Sequence, residues 1–173
     1  VISTEDELRE KIKLFSASSI LGFDTESKPS FKKGRNNGIA LVQLSDEKTA
    51  LIIRVKEVGL PNELVAILEN EKIVKVGAAI RDDLKGLKSI RNFNPKGFVD
   101  LQQIAVNYNI EGQSVRKLAA IVLGVRVSKS QQLSNWEAES LSFAQIDYAA
   151  TDAWVCREIY QKLNAVNPIK LSK

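Results

Sequence analysis

Five side chains spread along the chain could work together: Asp24 and Glu26 in Phe-Asp-Thr-Glu, Asp83 in Gly-Ala-Ala-Ile-Arg-Asp-Asp-Leu, and Tyr148 with Asp152 in Tyr-Ala-Ala-Thr-Asp. Four carboxylates and a phenol suggest a site that binds hard divalent cations and cuts phosphodiesters. The chain contains no histidine, so any mechanism needing an imidazole base or ligand is excluded.

The spacing says which side chains can share a face. Asp24 and Glu26 are two apart on a strand, so both leave one side, while Leu21, Phe23 and Thr25 point the other way into a core. Acids are depleted in strands and costly to bury unpaired, although an exposed strand end would also explain this pair. Tyr148 and Asp152 are four apart on a helix and therefore neighbours. Ala149, Ala150 and Ala153 beside them let another element approach closely. Asp82 and Asp83 open a helix, where the dipole favours acids. They also lie just beyond the carboxyl end of a sheet strand, where α/β folds place their sites.

The elements that must position these groups are legible. Thr4 and Glu7 have capping-box spacing for a helix running to about Phe15. Ile20–Thr25, Ile39–Leu44 and Thr49–Val55 read as an antiparallel meander, with the turn signal Asn36-Asn37-Gly38 between the first two. Pro61 introduces a helix from about Asn62 to Glu69. A short strand over Ile73–Gly77 leads to a helix over Asp82–Ser89, then a last strand over Gly97–Val99. Helices follow near Leu101–Tyr108 and Val115–Leu123. Ser142 and Gln145 form a second capping box for a helix ending near Leu163, before Pro168. This order predicts an α/β fold with a mixed sheet: the three-stranded antiparallel meander plus parallel strands, flanked by helices.

A chain of 173 residues without a linker or repeat fits one domain over residues 1–173. The net charge of +4 is compatible with a polyanionic partner without requiring one. The single cysteine, Cys156, excludes an intrachain disulfide and a thiolate cluster, and it suggests an intracellular setting, cytoplasmic or nuclear. No apolar run is long enough for a membrane span, so no membrane partner is expected. The chain begins at Val1 and has no methionine, as a processed chain or a piece of a longer protein would.

Jointly, the order D-T-E, then G-x-x-I-x-x-D-L, then Y-A-A-T-D-A resembles the DEDD superfamily of 3′–5′ exonucleases. It is most similar to the tyrosine-containing branch that includes ribonuclease D and the exonuclease domain of the Werner syndrome helicase. The resemblance runs from about Ile20 to Tyr160, through Ile39-Ala40-Leu41-Val42-Gln43-Leu44, Ser134-Asn135-Trp136 and Leu141-Ser142 with Gln145. The sister branch uses a histidine, which this chain lacks. Ser140 departs from the proline that relatives often carry before Leu-Ser.

The resemblance implies a ribonuclease H-like fold and removal of nucleoside monophosphates from the 3′ end of DNA or RNA. It makes Asp24, Glu26, Asp83 and Asp152 ligands of two divalent cations, Mg²⁺ or Mn²⁺, with Tyr148 orienting the attacking water. A free tyrosine, with a pKa near 10, is phenolate in only about one molecule in a thousand at neutral pH. Tyr148 therefore suits a hydrogen-bonding positioner better than a base. The alternative is an inactive nucleic-acid-binding module of the same fold, which predicts loss of a ligand; none is missing.

Substrate contacts are expected from the basic segment after the first strand, Lys28, Lys32, Lys33 and Arg35, and from Arg126 and Lys129 before the last helix. Trp136 and Trp154 read as packing residues, and Cys156 as a small core residue.

Overall fold

The computed structural model describes residues 1–29, 37–110 and 114–166. Its centre is a five-stranded sheet of β1 (Ile20–Ser27), β2 (Ile39–Ser45), β3 (Ala50–Arg54), β4 (Val74–Gly77) and β5 (Phe98–Asp100), in the order β3-β2-β1-β4-β5. β1, β2 and β3 form the expected antiparallel meander, while β4 pairs parallel with β1 and β5 parallel with β4. The sheet is mixed, as the element order implies.

Seven α-helices surround it among the described residues: α1 (Glu5–Lys11), α2 (Val55–Val58), α3 (Asn62–Glu69), α4 (Arg81–Ile90), α5 (Leu101–Ala105), α6 (Val115–Leu118) and α7 (Phe143–Val166). Both capping boxes are present, Thr4 with Glu7 on α1 and Ser142 with Gln145 before α7. The first helix tightens to a 3₁₀ turn over Ile12–Phe15. The helix after α6 widens into a π-turn over Ala119–Leu123 and stops at Gly124, whose φ is 71°. The short α2 was not foreseen, because four residues carry no periodicity.

Alternation along β1 splits the chain's apolar residues into two layers. Leu21 and Phe23 join Val42, Leu44 and Ile53 under α1, α3 and α4, which contribute Leu8, Leu64, Leu68 and Leu87. On the opposite face Leu41 and Ile52 meet Trp136, Tyr148 and Ala149, while Val76 and Val99 meet Val155 and Ile159 of α7. The helix seats very closely. A Cβ on Gly22 would lie 1.8 Å from the Ala153 carbonyl oxygen, so only glycine permits this approach. Cys156 is buried in this layer. Trp154 departs from its expected packing role: it is 38% exposed and lies at the surface beside Lys48 and Thr49.

Candidate active site

The close seating of α7 on β1 decides where the acids meet. Asp24 and Glu26 leave β1 on the α7 side, and Asp152 faces them from the helix. One carboxylate oxygen from each lies within 4.8 Å of the other two. Tyr148, one turn before Asp152, is buried against Trp136 with ring centroids 5.8 Å apart. Gln145 fixes the segment bearing that tryptophan by donating to the Asn135 carbonyl at 3.2 Å.

Asp83 reaches the site from α4, on the other face of the sheet. Its carboxylate accepts a hydrogen bond from the Thr25 hydroxyl, and it lies outside the three-acid group. Asp83 is half-buried whereas its neighbour Asp82 is exposed, as the angular step of a helix requires. The β4–α4 loop that aims Asp83 is held by Asp100, which the sequence did not single out. Asp100 accepts from the backbone amides of Ala79 at 3.0 Å and Ile80 at 3.3 Å. Ala79 there has φ 58°, a left-handed conformation that a side chain disfavours. The same carboxylate caps α5 through the Gln102 amide at 2.9 Å.

Crowding several acids in little water costs free energy, and their protons show it. Burial first, then the charges of Asp152 and Asp83, lifts Asp24 well above the usual carboxylate range. Burial, followed by Asp24 and Asp152, pushes Glu26 up to about 9. Asp83 is raised by burial against the opposing pull of the Thr25 hydrogen bond. Asp152 is raised by burial too, with Arg116 and the Tyr148 hydroxyl pulling it back. Burial and the charge of Asp152 also raise Tyr148, so its phenol keeps its proton.

Arg116 of α6 is the residue the sequence reading missed. It donates from Nη2 to the Tyr148 hydroxyl and sits 3.8 Å from Asp152 Oδ2. In sequence it is one more basic residue after a helix cap, indistinguishable from a solvated face.

The expected substrate contacts divide. Arg126 and Lys129 are exposed and line a groove with Arg116 and Lys117. Lys28 is exposed and pairs with Glu137 at 3.6 Å. Lys32, Lys33 and Arg35 lie outside the described residues.

The donors fit a divalent metal. Asp152 Oδ1 is buried without a hydrogen-bond partner among the described residues, and an unpaired buried carboxylate oxygen calls for a cation. Gln43, directly across the strand pair from Asp24, is likewise buried with both side-chain polar atoms unpartnered there. An all-oxygen donor set suits hard cations.

The family described as 3′–5′ exonuclease matches residues 1–166. Exonuclease 3′-5′ domain-containing protein 2 of Drosophila melanogaster is 33% identical over 148 residues, 83% of this chain and 25% of that protein. The bifunctional 3′-5′ exonuclease/ATP-dependent helicase WRN of Mus musculus is 34% identical over 157 residues, 86% of this chain and 11% of that protein. This chain thus spans well under two-thirds of either relative. The crystal structure of Escherichia coli RNase D, an exoribonuclease involved in structured RNA processing, superposes with a TM-score of 0.85 at 25% identity. It covers 95% of this chain and 44% of its own. The architecture is that of the ribonuclease H-like exonucleases.

Proposed function

The chain belongs to the 3′–5′ exonuclease family, and we propose that it hydrolyses phosphodiester bonds stepwise from the 3′ end of DNA or RNA, releasing nucleoside monophosphates. The observation that carries this reading is the meeting of Asp24, Glu26 and Asp152 within 4.8 Å, beside Tyr148. Each family position for a ligand is filled, which favours an enzyme over an inactive binding module. We read residues 1–173 as one exonuclease domain. No helix among the described residues is long and apolar enough to cross a membrane, and the lone buried cysteine fits an intracellular setting.

Asp24, Glu26, Asp83 and Asp152 would hold two divalent cations, Mg²⁺ or Mn²⁺. Bound there, such ions offset the carboxylate charge, activate water at neutral pH and polarise the phosphate. The chain's own residues do the positioning. Tyr148 keeps its proton and orients the attacking water through its hydroxyl. Water oxygen joins phosphorus while the bond to the upstream 3′ oxygen breaks. Arg126 and Lys129 meet upstream phosphates, with Lys28, Lys32, Lys33 and Arg35 as further guides of the strand.

Digestion of matched 5′- and 3′-labelled DNA and RNA oligonucleotides with Mg²⁺ or Mn²⁺ tests this. The 5′-labelled strand should give a ladder shortening by single nucleotides, and excess chelator should stop it. Cutting of a circular single strand, or hydrolysis that persists in chelator, would contradict it.

A further inference from the structure

Among the described residues, Arg116 is the cation whose guanidinium enters the acid cluster. It is held at three points: Nε donates to the Ser128 carbonyl at 3.1 Å, Nη2 donates to the Tyr148 hydroxyl, and its carbon lies 5.7 Å from the centre of the Tyr148 ring. Its Nη1 has no hydrogen-bond partner among the described residues. The side chain is only 16% exposed, yet it also lines a groove of about 590 Å³ shared with Lys117, Arg126 and Lys129. Arg116 therefore belongs both to the carboxylate cluster and to the wall of a basic groove.

A residue needed only to neutralise buried acid would pair with it closely. Arg116 instead stands 3.8 Å from Asp152 and gives its hydrogen bond to the tyrosine. The charge balance gives it another purpose. Four carboxylates carry about −4 and two divalent cations about +4, so a loaded site is near neutral before substrate enters. Arg116 tips it to about +1, facing the incoming phosphodiester. A guanidinium already fixed by two of its nitrogens loses little freedom on taking a phosphate oxygen.

We infer that Arg116 is a further catalytic residue of this site, offering Nη1 to a non-bridging oxygen of the scissile phosphate while Nη2 holds the hydroxyl of Tyr148. This rests on the nuclease reading above. Its role explains why the groove meets the carboxylates at this residue: upstream phosphates follow Arg126 and Lys129, and the phosphate being cut reaches Arg116.

The test compares the parent chain with Arg116→Ala and Arg116→Lys, using 5′-fluorescein (dT)₁₂ and (U)₁₂ with Mn²⁺. Calorimetric titration with Mn²⁺ alone and thermal melting accompany the kinetics. Arg116→Ala should lower kcat by about 10²-fold, the cost of one transition-state donor. Lysine should restore part of the loss by charge without the anchored fork. Binding of Mn²⁺ should be undiminished or tighter in the alanine variant, because a like charge has left the neighbourhood of Asp152. Alanine within about twofold of an active parent would overturn the inference and leave the nuclease reading intact. Loss of Mn²⁺ binding together with activity would also overturn it, making Arg116 an organiser of the metal site. A parent that neither cleaves nor binds either oligonucleotide would overturn both.

Discussion

Thr25 donates its hydroxyl to Asp83, joining the two faces of the sheet through the middle residue of Asp-Thr-Glu. The outer two residues point at α7 and the middle one at α4, so three consecutive side chains gather carboxylates from both layers. Thr25→Val keeps the β-branched shape and removes the hydrogen bond. Partners that orient metal ligands are typically worth about 10–100-fold in metal affinity or activity. The Mn²⁺ concentration for half-maximal hydrolysis should rise within that range while the melting temperature changes little. An unchanged metal dependence would make this hydrogen bond incidental.

The two aspartates that open α4 should separate cleanly. Asp83→Asn should abolish hydrolysis with little change in melting temperature, since it removes a half-buried carboxylate whose charged form burial already disfavours. Asp82 is exposed and serves the helix N-terminus, a role worth about 0.3–1 kcal/mol. Asp82→Asn should stay active and melt slightly earlier. Activity and melting curves of both variants decide it; the reverse pattern would assign the metal-ligand role to Asp82.

Without metal, the acid cluster should make stability fall as pH rises. Glu26 has its proton affinity pushed up to about 9 in the folded chain, against 4.5 as an ordinary glutamate. Between these values the folded state keeps a proton that the unfolded state gives up. The stabilisation is complete below the lower value and is lost as pH climbs through the upper one. Asp24, Asp83 and Asp152 act in the same direction. Metal requires ionised carboxylates, so Mn²⁺ should raise the melting temperature more at pH 8 than at pH 5. Melting in chelator and in Mn²⁺ across this range measures both trends, and Glu26→Gln should flatten the slope in chelator.

Gly22→Ala tests whether α7 sets the site geometry. The added methyl meets the Ala153 carbonyl oxygen at 1.8 Å, backbone that cannot turn aside. Overpacking of this kind costs typically 1–3 kcal/mol. Because the helix carries Asp152 and Tyr148, its shift also spreads the carboxylates, and a displacement of about 1 Å can cost on the order of 10² in rate. Activity should therefore fall well below what the remaining folded fraction accounts for.

The antiparallel meander, the mixed sheet and the starts of α1 and α7 were legible because they rest on local signals, strand-length apolar runs in β1 to β3 and two capping boxes. The small residues beside Tyr148 signalled a close approach to α7 without saying that β1 makes it at Gly22. Period and spacing placed Asp24 with Glu26 on one face of β1 and Tyr148 with Asp152 on one face of α7; it was the joint resemblance of the three motifs to the exonuclease family that marked these acids as one ligand set. What stayed hidden depends on distant parts of the chain. Asp100 grips the Ala79 loop only once β5 lies beside β4. Thr25 looked like a core residue because its partner sits on another helix. Trp154 looked like a packing residue, but the apolar character of a large ring does not say which side of α7 meets the sheet. Arg116 resembled any surface arginine until α6 was packed on α7.

Tyr148→Phe is the narrowest test of the chemistry. It removes one oxygen and keeps the ring that packs on Trp136, so fold and melting temperature should be nearly unchanged. The hydroxyl accepts from Arg116, and its presence beside Asp152 lowers the proton affinity of that carboxylate. A phenylalanine ends both and leaves the attacking water without its guide. A single positioning group of this kind is worth roughly 10–1000-fold. The loss should appear in kcat under single-turnover conditions, with Mn²⁺ binding retained. Because burial holds the phenol above its ordinary proton affinity, the rate should show no step from phenolate formation as pH rises toward 9. A step there, absent in the phenylalanine variant, would instead make Tyr148 a general base.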